Sequence, residues 1–162
     1  MADPAYHNLR VMIVDDNATM RDLLRRLLSS LGVRDIVQAA DGNAGLESLR
    51  LSKFDVILSD LEMAPMDGIE FTRQVRQSPG SPNPYVPIVM VTGHTEMNRV
   101  HAARDAGINE FMVKPITLKN LSARLVEIVE RPRPFVRSGN YVGPDRRRKK
   151  RAGPGPTRRK DD

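Results

Sequence analysis

Five side chains that could act together in one chemical site follow short apolar runs, far apart along the chain: Asp15, Asp16, Asp60, Thr92 and Lys114. Short β-branched runs that are apolar on both faces are typical of buried parallel strands. Open α/β sheets bind ligands at the carboxyl ends of such strands. We therefore expect three carboxylates, one hydroxyl and one ammonium to converge on a single crevice.

The chemistry that suits this set is phosphoryl transfer assisted by a metal ion. Clustered carboxylates repel one another unless a cation compensates them, and oxygen ligands with room for water suit Mg²⁺. Asp60 stands alone on its strand, so its carboxylate is the candidate nucleophile. Phosphoryl transfer requires that charge on the equatorial oxygens be neutralised, which Mg²⁺, Lys114 and Thr92 would do from three sides.

The elements that must position these residues alternate between strand-like and helix-like patterns as far as residue 130. This alternation predicts βαβ units and an α/β fold, a doubly wound five-stranded parallel sheet. The predicted strands are Arg10–Val14, Asp35–Ala39, Asp55–Ser59, Pro87–Val91 and Glu110–Val113.

Helix signals fall between and after these strands. The first helix should end before Gly32, the second should cover about Asn43 to Leu51, and the fourth should run from Thr95 to Ala106. We expect Asp67 to cap the third helix and Thr117 to cap the fifth. Residues 78–84, rich in Pro, Gly and Ser, should form a surface loop.

Composition separates the chain into two parts. Residues 131–162 hold 12 of the 26 Lys and Arg residues but three of the 20 Asp and Glu residues, a net charge of +9, so residues 1–130 carry −3. The chain has no cysteine, no apolar run long enough to span a membrane and no secretory signal at its first residues. These features predict a soluble cytoplasmic protein with an acidic domain and a basic extension.

The order and spacing of the site residues resemble the receiver domain of bacterial two-component response regulators, the CheY-like family. The five positions match, as does the pair Lys114-Pro115, and the resemblance covers about residues 8–130. Residues 60–68 add the family's Asp-x-x-Met-Pro-x-Met-Asp-Gly loop with one departure, because proline stands at 65 and Ala64 takes its usual place. We expect a changed loop path and an intact site.

The resemblance implies a role for each matching residue. Asp60 would accept a phosphoryl group from the phosphohistidine of a sensor histidine kinase or a histidine phosphotransferase. Mg²⁺ would be held by Asp16, Asp60 and the backbone carbonyl of Glu62, and by Asp15 through water. Lys114 would contact the phosphoryl group and precede a cis peptide bond.

The resemblance also implies a switch. Thr92 and Phe111 occupy the positions of the hydroxyl and aromatic pair that moves on phosphorylation and remodels the face of helix 4, strand 5 and helix 5. An output protein would bind that face or the tail. Such a protein is not an enzyme beyond its own phosphorylation and autodephosphorylation, and the sequence leaves its kinase and output partner open.

Two other α/β functions fit less well. Phosphatases of the haloacid dehalogenase type also use an aspartate nucleophile with Mg²⁺, but they place an Asp-x-Asp pair after the first strand, where this chain has adjacent aspartates. A flavodoxin-like cofactor binder needs a phosphate-cradling loop at that place, and Asp15-Asp16 would repel the phosphate.

Residues 131–162 predict a stand-alone receiver with a basic Arg/Gly/Pro-rich tail rather than a second folded domain. Nine of these 32 residues are Gly or Pro, so we expect the segment to be disordered and mobile in isolation, or to dock. Specific docking is favoured by two aromatics and a nearby cluster: Phe135, Tyr141, Arg146, Arg147 and Arg148. The alternative function is a phosphorylation-linked nucleic-acid binder that acts through this basic tail.

Overall fold

A five-stranded parallel sheet forms the centre of the protein. We describe residues 3–146, as seen in a computed structural model of the chain. The strands follow one another in the spatial order β2-β1-β3-β4-β5. Their bounds are β1 Arg10–Val14, β2 Asp35–Ala39, β3 Val56–Asp60, β4 Ile88–Thr92 and β5 Glu110–Val113.

Five α-helices connect or follow these strands, and polar side chains begin four of them. The bounds are α1 Ala18–Ser30, α2 Gly42–Leu51, α3 Gly68–Gln77, α4 Val100–Ala106 and α5 Leu118–Val129. The predicted caps are confirmed, because Asp67 accepts the amide of Glu70 at 2.9 Å and Thr117 accepts that of Asn120 at 3.1 Å. Residues 78–84 lie in a loop as predicted.

The three inner strands β1, β3 and β4 are buried on both faces, which explains why they are apolar along most of their length. Met12 and Ile57 point to the face covered by α2, α3 and α4, while Ile13 and Leu58 point to the face covered by α1 and α5. All four side chains are fully buried. Two hydrophobic layers therefore fix the sheet between the helices and hold the strand ends in register.

Two predicted strand bounds were one residue too early. Asp60 and Thr92 are the last residues of β3 and β4, not the residues that follow them. Asp60 pairs with Val91, and Thr92 pairs with Val113 in the next strand. The backbone of the candidate acceptor is thus held by the ladder itself, which gives it more rigidity than a loop position would.

The predicted fourth helix from Thr95 to Ala106 was wrong in its first half. Residues His94–Arg99 form a 3₁₀ helix, and the α-helix begins at Val100. The carboxylate of Glu96 accepts the amide of Gly93 at 2.8 Å, which closes a tight turn directly after β4. A 3₁₀ turn of this kind brings the Glu96 side chain back toward the strand end.

The sequence left both disorder and docking open for the tail, and residues 135–144 pack against the α/β domain. They form an antiparallel hairpin of β6 Phe135–Ser138 and β7 Tyr141–Pro144, with Gly139 at φ 59° in the turn. Val142 is buried, and its carbonyl lies where a Cβ on Gly107 would have to be. Glycine at 107 therefore allows the hairpin to approach the end of α4 closely.

The hairpin is seated beside a buried arginine on α3. The Arg76 guanidinium donates to the carbonyls of Val86 at 2.7 Å and Gly107 at 3.0 Å, and it lies 4.9 Å from the ring centre of Phe135. Burial lowers the pKa of Arg76 to about 9. Backbone acceptors and an aromatic face thus take the place of a carboxylate partner.

Two further contacts fix the edges of the hairpin. The Gln77 amide donates to the carbonyl of Asn140 at 2.7 Å, and Arg146 forms an ion pair with Asp105 at 3.0 Å. Arg147 and Arg148, which the sequence suggested for docking, lie outside the described residues. Within residues 3–146, no helix has the length and apolar character that a membrane span requires.

Candidate phosphorylation site

The carboxyl ends of β1 and β3 bring three aspartates into one group. Ligand oxygens of Asp15, Asp16 and Asp60 lie within 4.8 Å of one another. Asp15 and Asp60 are buried, with 1% and 5% of their surface exposed, whereas Asp16 faces solvent. The convergence that the sequence predicted for these carboxylates is present.

Local hydrogen bonds aim the first aspartate into the cleft. One carboxylate oxygen of Asp15 accepts the amide of Asn17 at 2.9 Å, and Arg21 donates to its backbone carbonyl at 2.7 Å. The other oxygen, Oδ2, is buried without a hydrogen-bond partner among the described residues. A buried, unsatisfied carboxylate oxygen is costly, so this atom is suited to accept a hydrogen bond from a water molecule bound to a cation.

Lys114 supplies the positive charge of the site. Its Nζ lies 3.1 Å from Oδ1 of Asp60, and one third of the lysine side chain is exposed. The peptide bond from Lys114 to Pro115 is cis, as the resemblance implied. The ammonium therefore already stands beside the oxygen of the candidate acceptor.

The two buried carboxylates have raised pKa values. Burial, followed by the neighbouring Asp15 carboxylate, raises the pKa of Asp60 to about 6, and Lys114 opposes this shift. Burial also raises the pKa of Asp15 above its usual value. Both shifts arise mainly from burial, and the neighbouring carboxylates add to them.

Thr92 is the last residue of β4, the strand beside β3, and it is not among the residues that line the cleft of the aspartates. Its hydroxyl donates to the carbonyl of Gly93 at 3.2 Å, with the Glu96 carboxylate a weaker acceptor at 3.4 Å. Sequence reasoning missed Glu96. The signal was present, because a glutamate three residues after Gly93 has the spacing of a capping residue at the start of a helix.

The remaining positions that the sequence singled out are Glu62, the Ala64-Pro65 departure and Phe111. Glu62 lines the same cleft, which has a volume of about 390 Å³, and its side chain pairs with Arg99 at 3.1 Å. The departure at Ala64-Pro65 takes the form of a cis peptide bond while the aspartates still converge. Phe111 is half-buried on β5, and its ring centre lies 5.6 Å from the Arg104 guanidinium.

This arrangement can now be compared with known proteins. Residues 11–126 match the model of the response regulator receiver domain. The chain belongs to the response regulator receiver family. Receiver domains are signalling proteins of two-component systems rather than enzymes in the usual sense, and they bind Mg²⁺ in their acidic pocket.

Chemotaxis proteins are among the similar sequences. CheY of Pseudomonas aeruginosa is 34% identical over 123 residues, which cover 76% of this chain and 98% of the relative. CheY-3 of Vibrio cholerae is 33% identical over 124 residues, covering 76% of this chain and 94% of the relative. The similarity thus spans nearly all of each relative.

Solved structures agree with the fold. Vibrio cholerae chemotaxis protein CheY4 has a TM-score of 0.68 at 30% identity and covers 75% of this chain and 98% of its own. The receiver domain of a sensor histidine kinase from Pseudomonas aeruginosa, solved with magnesium in its active-site cleft, has a TM-score of 0.65 at 27% identity. It covers 74% of this chain and 95% of its own.

Proposed function

We propose that this receiver domain accepts a phosphoryl group on Asp60 and uses it to change the surface that a partner protein binds. The observation that carries the proposal is the setting of Asp60, a buried carboxylate at the end of the central strand with the Lys114 ammonium at 3.1 Å. Receiver domains interact with histidine kinases or phosphotransfer proteins. A phosphohistidine of such a protein is the proposed donor.

In the proposed step an oxygen of the Asp60 carboxylate attacks the phosphorus atom. The P–N bond to the donor imidazole breaks, and its electron pair stays on the imidazole nitrogen, which is then protonated. An acyl phosphate forms on Asp60. Because the attacking group must be ionised, a pKa of about 6 leaves most of Asp60 in the reactive form at neutral pH.

The residues present fit a magnesium ion. The donor set consists of carboxylate oxygens within 4.8 Å of one another, and Oδ2 of Asp15 is buried without a partner among the described residues. Asp16, Asp60 and the Glu62 carbonyl would bind the ion directly, and Asp15 would bind it through water. When bound, Mg²⁺ supplies positive charge to the phosphoryl oxygens.

Lys114 and Thr92 would complete the contacts to the phosphoryl group. Lys114 would move its ion pair from the carboxylate to a phosphoryl oxygen, so its charge remains compensated. Thr92 would release the Gly93 carbonyl and donate to another oxygen, and Phe111 would follow this movement inward. The face of α4, β5 and α5 would then differ between the two states.

The experiment that tests the acceptor is phosphorylation by acetyl phosphate with Mg²⁺, followed by intact mass measurement. The protein should gain the mass of one phosphoryl group, and base should remove it. Asp60→Ala should not be labelled, and Asp16→Ala should lose most labelling along with its Mg²⁺ dependence. Asp22→Asn, which changes a carboxylate of α1 paired with Arg25 and Arg26, should label normally. Full labelling of Asp60→Ala would refute the proposal.

A further inference from the structure

One arginine connects the two loops that follow β3 and β4, the neighbouring strands that end in Asp60 and Thr92. Arg99 is the last residue of the 3₁₀ helix that follows β4. Its guanidinium pairs with Glu62 at 3.1 Å and with Asp67 at 2.6 Å. Both carboxylates belong to the segment between β3 and α3, so Arg99 ties this segment to a separate part of the chain.

The segment between β3 and α3 is closed at its base and anchored unequally along its length. The amide of Gly68 donates to the carbonyl of Leu61 at 2.9 Å, which makes residues 62–67 a closed loop. Met63 is buried within this loop, whereas the side chain of Glu62 is 54% exposed. An exposed side chain has several rotamers available. The ion pair with Arg99 restrains Glu62 to a smaller set of them.

Asp67 gives Arg99 its own fixed position. One oxygen of Asp67 accepts the amide of Glu70 at the start of α3, and the other accepts Nη2 of Arg99. The Nη1 atom of the same guanidinium then donates to Glu62. An arginine shared by two carboxylates in one planar fork is more strongly ordered than an arginine in an isolated surface pair. Glu62 is therefore placed relative to the start of α3.

We propose that Arg99 is a positioning residue for the metal site, because it holds the loop from which Glu62 would offer its backbone carbonyl to Mg²⁺. This inference rests on the proposed function, in which that carbonyl is a ligand. Glu62 stands two residues after Asp60 and lines the same cleft as the aspartates. A loop that is ordered before the ion arrives loses less conformational entropy on binding it.

The charge of Arg99 and its positioning role affect cation binding in opposite directions. A guanidinium near the cleft repels a cation, so its removal should strengthen binding if charge alone matters. If the loop depends on Arg99 for its order, removal should weaken binding instead. The proposal predicts that Arg99→Ala weakens binding of the divalent ion by about two- to five-fold.

The test measures ion binding to the full-length, unphosphorylated protein. Mn²⁺ replaces Mg²⁺, because both prefer carboxylate and carbonyl oxygens, and electron paramagnetic resonance counts the free Mn²⁺. Arg99→Lys should bind with intermediate affinity, since an ammonium keeps the charge but lacks the planar fork. Arg73→Ala is the matched control, because it removes an exposed arginine whose ion pair with Glu70 lies within α3. Circular dichroism verifies that each variant is folded, and Arg99→Lys alone decides the question if Arg99→Ala does not fold.

Each outcome decides the proposal. Weaker binding by the Arg99 variants, with Arg73→Ala like the unmodified protein, supports it. Equal or tighter binding by the Arg99 variants would overturn it, as would an equal loss for Arg73→Ala.

Asp16→Ala distinguishes this inference from the proposed function. If Asp16→Ala loses Mn²⁺ while the Arg99 variants keep full affinity, the metal site stands and the positioning role alone is refuted. Undiminished binding by Asp16→Ala, or no binding by the unmodified protein, would contradict the proposed metal site and the role of Arg99 with it.

Discussion

At the scale of single residues, Asp60 combines two requirements that oppose each other. A phosphoryl acceptor must be ionised, yet burial and the nearby Asp15 carboxylate favour its protonated form. The Lys114 ammonium, 3.1 Å from Oδ1 of Asp60, favours the ionised form, and the proposed Mg²⁺ would favour it further. The site therefore holds stored repulsion that should be visible in the stability of the protein.

We predict that Asp60→Asn stabilises the metal-free protein at neutral pH by about 1–2 kcal/mol. The folded-state pKa of about 6 exceeds the unfolded value of 3.8, so the stability associated with Asp60 is present below pH 3.8 and is lost as pH rises through 6. The gain from the variant should therefore shrink toward zero as pH falls through this window. Urea denaturation in the presence of a chelator, repeated at several pH values, measures the difference in the free energy of unfolding. A stability gain that does not depend on pH would contradict the prediction.

Glu96 is the second residue with a testable role, because its carboxylate holds the strand end where the proposed movement of Thr92 would take place. It accepts the Gly93 amide at 2.8 Å and lies 3.4 Å from the Thr92 hydroxyl, and its charge contributes to the raised pKa of Asp60. Glu96→Ala should remove both the hydrogen bond and the negative charge. We expect phosphorylation by acetyl phosphate to become about two- to five-fold faster.

The control for this variant is Asn98→Ala, an exposed position in the same 3₁₀ helix. Glu96→Gln separates the two contributions, since it keeps an oxygen acceptor and removes the charge. We compare the labelling rates of the three variants at the same Mg²⁺ concentration. The comparison shows whether the hydrogen bond or the charge of Glu96 slows phosphorylation. An unchanged rate for Glu96→Ala would mean that its carboxylate does not restrain the site.

At the scale of elements, the sequence predicted the structure well where a single residue pattern reflected both the local conformation and the burial of an element. The apolar runs before Asp15 and Lys114 identified strands, because a short apolar run followed by a polar residue is typical of a strand that ends at the ligand-binding edge of an α/β sheet. The tail shows the opposite case. Its composition left disorder and docking open, because Arg76 and Gly107, on which its hairpin packs, lie in distant parts of the sequence.

Hairpin docking gives a prediction at this scale. Val142→Ala removes two methyl groups from a position that is 2% exposed, so we expect a loss of about 1–2 kcal/mol in the free energy of unfolding. Arg137→Ala, on the exposed side of the hairpin, should change it by less than about 0.5 kcal/mol. Urea denaturation compares the two, and equal small effects would show that the hairpin does not pack on the domain in solution.

At the scale of the whole molecule, the charge division predicted from the sequence has a structural meaning. The first 130 residues carry −3 and the rest carry +9, and the described part of the extension uses Arg133 and Arg146 to pair with Glu110 and Asp105 of the receiver. Electrostatic attraction between the basic extension and the acidic receiver thus supports docking of the extension on the receiver. The family motifs could predict the candidate phosphorylation site, whereas the docking of the hairpin depends on contacts that no local pattern encodes.

The central claim, that Asp60 is the residue phosphorylated, is tested most directly by trapping the acyl phosphate. Borohydride reduces an aspartyl phosphate to homoserine, which tandem mass spectrometry can locate after digestion. After treatment with acetyl phosphate and Mg²⁺, we predict homoserine at position 60 and none when Mg²⁺ is chelated. Homoserine at position 15 or 16 instead, or at no position, would contradict the claim.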